Sequence, residues 1–325
     1  MSALRQSIAR VLTPRVLFGV AVAACVATWF MLLIGGTVNP TGSSLACTDW
    51  SFTWGFIPLC NGDPFPVMSG GVLYEHGHRL WGWLVGLFTT GLLVGAWAAP
   101  DLPKSTRLLA LGALVLVIAQ GALGGLTVLL GLSPTLSTAH LVVGYSFLAL
   151  LVLLAWRLAP SRRLAPTDGA RLPRAAILAA TILTLGQIIL GGASRHLGAG
   201  LICGVDALGC GAAGLWPDLG PQQLHMLHRY LGYFVGVAVV LAALRARSAA
   251  LAADRHAVAR LALAPAILVL FQVALGLVTV VSGRIVVVVT LHTAIGGLLL
   301  ASLAALYYGF GPLGAPRPAP AESAA

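Results

Sequence analysis

Six of the eight histidines, His76, His78, His140, His225, His228 and His292, stand in long apolar stretches that carry almost no charge. An ionisable ring in such surroundings is costly to bury and is functional by default. Four of the six are related by a repeat: His78-Arg79 recurs as His228-Arg229, and His140 recurs as His292. A lone histidine of this kind reads equally well as a hydrogen-bonder between helices, whereas four at matched positions point to a ligand set. Imidazole nitrogen is an axial ligand of heme iron. A heme held by two histidines takes them from two elements that face each other across the macrocycle. The pairs are then His78 with His140 and His228 with His292. Arg79 and Arg229 offer forked guanidinium groups suited to carboxylates such as heme propionates. Glycines near these residues, among them Gly82, Gly124, Gly232 and Gly276, leave room for a flat macrocycle, although close helix packing uses them as well. His225 lies three residues before His228, on the same helix face, and belongs to the pocket or its rim. His76 points away from His78. His196 and His256 fall in loops and read as solvated.

Rival metal sites fail on ligand count. Glu75-x-x-His78 has the spacing of a carboxylate di-iron element, but that site needs a second such element and two further acids. Glu75 is the only acid inside a predicted span. Zinc needs a third protein ligand, and the histidines come as separated pairs. The position equivalent to Glu75 in the second copy is His225. One copy therefore has a carboxylate beside its histidine pair, placed for general acid or base work, and the other does not. The plainer role for Glu75 is a hydrogen bond to Arg79 or to a loop amide.

The elements that position these residues follow from composition. Of 325 residues, 58% are hydrophobic and 9% charged, against roughly 25% charged in soluble domains. Eight apolar stretches reach the length of about 20 residues needed to cross a bilayer: 16–36, 73–97, 107–130, 138–159, 174–194, 223–245, 257–281 and 287–309. With the N-terminus in the cytoplasm, fifteen of the nineteen Lys and Arg face inward, and only Arg195 and Arg284 fall in outer loops. This bias orients the chain with both termini cytoplasmic. It also assigns the +10 charge to topology, which removes a nucleic-acid partner and leaves membrane lipid as the surroundings. The first apolar run continues through Ile34, too long for a signal peptide, so Cys25 reads as an ordinary buried cysteine.

The ordered series Gly-Gly, Cys…Cys, His-Arg, Gln, Thr-Val, His occurs twice. The expected fold is all-α, a polytopic membrane protein with eight transmembrane helices in two pseudo-symmetric four-helix bundles. The divisions are a cytoplasmic N-terminal segment 1–15, a bundle 16–159, a cytoplasmic linker 160–173, a bundle 174–309 and a disordered tail 310–325. Cys47 with Cys60 and Cys203 with Cys210 lie in long outer loops, where disulfides persist. Two local bridges are the simplest of the pairings the sequence allows. Their plain role is to pin the loops. A redox role for the first pair, beside Glu75, is the sharper reading.

Glu75-x-x-His78-Arg79, the Gly-Gly-Thr-Val segment from Gly35, Gly42-Ser43-Ser44-Leu45 before Cys47, Asp49-Trp50, and His140, His228-Arg229 and His292 together resemble the heme A synthase family, over roughly residues 16–309. The resemblance implies oxidation of a methyl substituent of heme O to the formyl group of heme A by successive hydroxylations, for terminal cytochrome oxidases. It implies substrate heme on His78 and His140, heme b on His228 and His292, and Glu75 as the essential carboxylate. It also implies a heme O synthase and oxidase assembly factors as partners, an electron acceptor of unknown identity, and the cell inner membrane as location. A diheme b-type electron carrier is the alternative, since it needs the four histidines but not Glu75. A transporter is a third class, suggested by parallel repeats.

Overall fold

The computed structural model describes residues 13–53, 56–99, 102–159 and 171–310. Most of the expected segments 1–15 and 160–173, and all but the first residue of the 310–325 tail, lie outside these residues. Among the described residues, eight helices are long and apolar enough to span a bilayer. They are α1 (Pro14–Val38), α2 (Gly70–Ala98), α3 (Lys104–Leu129), α4 (Pro134–Leu158), α5 (Arg171–His196), α6 (Gly220–Ala252), α7 (His256–Val281) and α8 (Val286–Gly309). Among the described residues there is no strand, only two isolated bridges in the loop before α2. In hydrocarbon a helix satisfies every backbone group within itself, which overrides the weak helix preference of the many Val, Ile and Gly residues. Large apolar side chains such as Val115, Ile182, Phe234 and Leu270 are more than half exposed. Lipid, not water, is the solvent that makes such a surface stable.

Local signals set the helix ends. Thr13 caps α1 by accepting from the Val16 N–H at 3.3 Å, with Pro14 in the first turn. Pro134 likewise stands in the first turn of α4, which has no side-chain cap. α3 and α7 both end in a turn with two residues of positive φ, Gly131-Leu132 and Gly283-Arg284. In each the second residue returns its N–H to the helix, Leu132 to Thr127 and Arg284 to Thr279, which satisfies end carbonyls that would otherwise be orphaned. α7 breaks at Ala262, because Pro265 has no N–H to give the Leu261 carbonyl. α6 runs two turns beyond the expected 223–245.

α1 packs on α2, α2 on α3, α3 on α4 and α4 on α1. α5 to α8 close the same kind of ring. The rings meet through α1 with α8, α4 with α8 and α4 with α5. Trp29 donates to the Ala294 carbonyl and Tyr145 to the Thr293 carbonyl across this seam. Each ring has its own apolar core. Leu17, Ala21, Leu92, Ala110 and Leu154 anchor one, and Ile177, Val239, Ala246, Leu303 and Leu306 the other. Both cores lie toward the end away from the cysteine loops. The end near those loops is left for the polar residues.

Candidate functional site

His78 stands eight residues inside α2 and His228 eight inside α6. His140 stands six inside α4 and His292 six inside α8. The four rings are therefore held at matching depths. The His78 and His140 ring centroids are 6.4 Å apart, with planes at 79°. Two metal–imidazole bonds of about 2 Å each, plus roughly 1 Å from each bonding nitrogen to its ring centre, sum to roughly 6 Å. The spacing fits one metal ion between the rings.

Hydrogen bonds select the tautomer. His140 Nδ1 donates to the Gln120 carbonyl at 3.2 Å, and His292 Nδ1 to the Gln272 carbonyl at 3.1 Å. That leaves Nε2 as the lone-pair nitrogen, the arrangement of a metal-ligating histidine and its backbone partner. The Gln120 amide returns a bond of 2.8 Å to the His140 carbonyl. Gln187, which the sequence reading passed over, lies 2.9 Å from His228 Nδ1 and donates to the His228 carbonyl at 2.7 Å. A polar side chain in an apolar helix was the available signal. Met31 holds the equivalent position in the first half.

The glycines serve the imidazoles more directly than they serve a macrocycle. A Cβ at Gly35 would meet His78 Cε1 at 2.7 Å, and one at Gly191 would meet His228 Cε1 at 2.6 Å. Gly124 and Gly276 stand in the same relation to His140 and His292, at 3.0 and 3.2 Å. Gly82 and Gly232 give way to Met31 and Gln187. Each ring thus lies against bare backbone of the neighbouring helix.

The surroundings of the pairs differ. Glu75 and Arg79 are both nearly fully buried. Glu75 Oε1 accepts from Arg79 at 2.7 Å, and Oε2 accepts the Cys47 N–H at 2.9 Å. Arg79 also donates to the Cys47 carbonyl at 2.8 Å and the Leu59 carbonyl at 2.7 Å, with Asp49 3.6 Å away. Both structural partners expected for Glu75 are present. Burial pushes the Asp49 carboxyl up, but the Asn61 N–H, the Ser51 hydroxyl, the Gly62 N–H and Arg79 together hold it below the usual range. In the second half Arg229 donates to the Asp206 and Gly209 carbonyls at 2.7 and 2.8 Å, and its Nε and second terminal nitrogen have no partner. His225, in the place of Glu75, donates from Nδ1 to the Ala199 carbonyl at 2.7 Å and leaves Nε2 unpartnered. A cavity bounded by Gly191, His225, His228, Arg229, Gly276 and His292 opens here. Orphaned arginine donors and a cavity lined by two histidine rings fit a flat anionic group such as an iron porphyrin.

Cys47–Cys60 and Cys203–Cys210 are disulfides, as the simplest pairing had it. Cys25 is free and half-buried rather than buried. His76 is fully buried, with Nε2 3.2 Å from the Pro64 carbonyl. It lies close to Cys47 and Cys60, but the sulfurs are bonded to each other and supply no thiolate for a metal. His256 is exposed beside Asp254, as expected. His196 is not in a solvated loop. It ends α5 half-buried, and its Nδ1 donates to Thr138 Oγ1 on α4 at 3.1 Å. Arg195 is likewise in the last turn of α5 and not in a loop. It donates to the Gly36 carbonyl, Asn39 and Thr293 across the seam. Its position at the helix C-terminus also complements the helix dipole.

A protein named heme A synthase from Rhizorhabdus wittichii is 26% identical over 92% of this chain and 94% of its own length. One of the same name from Methylobacterium radiotolerans is 32% identical and covers 77% of each chain. A Halobacterium salinarum protein named protoheme IX farnesyltransferase is 31% identical over 43% of this chain and 29% of its own. The family model described as cytochrome oxidase assembly protein, COX15-CtaA, matches residues 19–304. Paired histidines at matching depth in eight apolar helices and a match across nearly the whole chain agree: the chain belongs to the COX15-CtaA family of cytochrome oxidase assembly proteins.

Proposed function

We propose that the chain is a heme A synthase that oxidises one methyl substituent of heme O to formyl by successive hydroxylations. The observation that carries this reading is the asymmetry between the halves. Two histidine pairs stand at matching depth, and only in the first does a member, His78, have a buried carboxylate, Glu75, one turn away on its own helix. Family membership and the names of the relatives favour it over a plain electron carrier.

In this reading 16–159 is the catalytic bundle and holds heme O through His78 and His140. The bundle 174–309 holds heme b through His228 and His292, with 160–173 as the linker. The bound iron porphyrins supply the redox chemistry. The chain binds, orients and handles protons. A carboxylate has about four acceptor directions, and Glu75 uses one on each oxygen for Arg79 and Cys47. Its remaining acceptor directions would serve to take a proton from the reacting substituent. Arg79 holds Glu75 in place. Arg229, with free donors beside the cavity, suits a propionate.

Electrons leave to an acceptor outside the chain. A farnesylated substrate arrives through lipid, which explains why the site is within the membrane. A protoheme IX farnesyltransferase is the natural supplier. The stretch like this chain within a protein of that name supports the pairing, and oxidase assembly factors receive the product. The setting is the inner membrane with both termini cytoplasmic, on the placement of Lys and Arg. The test is chromatography of hemes from cells that make heme O, with this chain and with a Glu75→Ala variant. Heme A is expected with the wild type and absent with a folded, heme-loaded variant. Folded wild type that yields only heme B and heme O, with donors and acceptors supplied, would overturn the reading in favour of a diheme electron carrier.

A further inference from the structure

Gly124-Gly125 on α3 corresponds to Gly276-Leu277 on α7. The first glycine of each pair gives way to a histidine ring, and the second glycine has no counterpart. A Cβ at Gly125 would lie 2.3 Å from Nε1, 2.4 Å from Cε2 and 2.5 Å from Cδ1 of Trp50. No side chain fits there while the indole is in place. The edge of Trp50 is thus seated in a notch of bare α3 backbone, next to the glycine that faces His140. Leu277 stands at the corresponding place in the other half.

Trp50 reaches the notch from the Cys47–Cys60 loop, which is tightly tied. Asp49 accepts from the Asn61 and Gly62 N–H groups, and Phe52 meets the indole edge-on with centroids 5.1 Å apart. The Arg79 guanidinium stands 5.5 Å from the Trp50 centroid, within the range of a cation–π contact. Arg79 in turn carries Glu75 at 2.7 Å. A continuous line of contact runs from the α3 backbone through Trp50 and Arg79 to Glu75, one turn from His78.

We propose that Trp50 is a positioning residue of the first site: seated in the Gly125 notch, its indole bears on Arg79 and so sets Glu75 beside His78. The second half has Leu277 and His225 at the corresponding places and needs no such device, because the reaction does not occur there. This inference rests on the heme A synthase reading. Its physical basis is that a group acting in the reaction must be held within about 0.5 Å of its working place, and misplacement is costly even when binding is intact.

The test combines Gly125→Ala, Trp50→Leu and the double variant in the purified heme-loaded protein, with Trp50→Phe as the conservative change. Each single change is expected to lower kcat for heme O oxidation roughly three- to tenfold, the scale of a lost aromatic and cation–π contact, with KM little changed. The double variant is expected to be no worse than Trp50→Leu, because the new Cβ enters vacated space. Trp50→Phe recovers part of the rate, and the absorbance of the second-half heme stays unchanged throughout. Independent, multiplying effects of the two changes, or a KM that rises while kcat holds, would overturn the proposal. A readout without turnover separates it from the functional reading. The coupling between Arg79 and Glu75, measured by an unfolding double-mutant cycle, is expected to shrink in the Trp50→Leu background. Unchanged coupling sinks the positioning role whether or not the wild type makes heme A. Reduced coupling with no heme A made sinks the functional reading and leaves the contact line standing.

Discussion

Arg79→Met removes a charge while keeping most of the side-chain volume, and the structure says what that leaves behind. Arg79 and Glu75 have side chains only 5% and 6% exposed and meet at 2.7 Å. Without Arg79 the Glu75 carboxylate keeps one donor, the Cys47 N–H, and the Cys47 and Leu59 carbonyls each lose a bond. Removing one partner of a buried ion pair costs about 3–5 kcal/mol, mostly the penalty for the charge left unpaired. Glu75→Gln removes the counter-charge of the buried Arg79 and leaves one carbonyl oxygen where Glu75 has two acceptors, for Arg79 and the Cys47 N–H, so by the same argument it also costs about 3–5 kcal/mol on its own. Combined with Arg79→Met it removes the stranded charge, so the double variant is expected to be more stable than Arg79→Met alone. Arg229→Met is the internal control. Among the described residues it donates to two backbone carbonyls, those of Asp206 and Gly209, and to no carboxylate, so its cost is expected to be smaller. The assay is SDS-induced unfolding of the purified protein in mixed micelles, followed by circular dichroism. If Arg79→Met is no more damaging than Arg229→Met, or if adding Glu75→Gln recovers nothing, the argument from a stranded buried charge is wrong.

Three further outcomes follow from the same geometry. Gly35→Ala places a Cβ 2.7 Å from the His78 ring and Gly191→Ala one 2.6 Å from the His228 ring. Each is expected to lower heme content in its own half only, read as heme per chain and by which absorbance band is lost. Replacing both cysteines of a bridge by serine is expected to cost about 2.5 kcal/mol for Cys203–Cys210 and about 3 kcal/mol for Cys47–Cys60 on loop-closure entropy, the longer loop costing more (separations of 7 and 13). Both are measurable as shifted unfolding midpoints. Asp206 accepts from the N–H groups of Gly209, Gly211 and Leu208, which hold its carboxyl below the usual range. A folded-state value below the unfolded one gives stability that is present above about pH 4 and lost as pH falls through the folded value. Asp206→Asn is therefore expected to be less stable than wild type at neutral pH, with the difference narrowing in acid. A gap independent of pH refutes this assignment.

The eight spans and the histidine pairs were legible from the chain alone, because lipid imposes simple local rules. Each span is a run of about 20 apolar residues, and a buried ionisable ring stands out against it. The internal repeat made His78 with His228 and His140 with His292 readable without coordinates, and the presence of each cysteine pair within one outer loop made the two disulfides the simplest choice. Other features required the tertiary structure, since they depend on which helix faces lie together. Gly35 and Gly191 read only as matched positions of the repeat until α1 and α5 were seen to press against the imidazoles of α2 and α6. His196 and Arg195 read as loop residues until the helix end carried them into the seam between the halves. The carbonyls of Cys47 and Leu59 became partners of Arg79 only once the Cys47–Cys60 loop was seen to fold against α2. Period and polarity act along the chain and are written in it. The partner of a side chain is set by a distance between segments far apart in sequence, and only packing decides that.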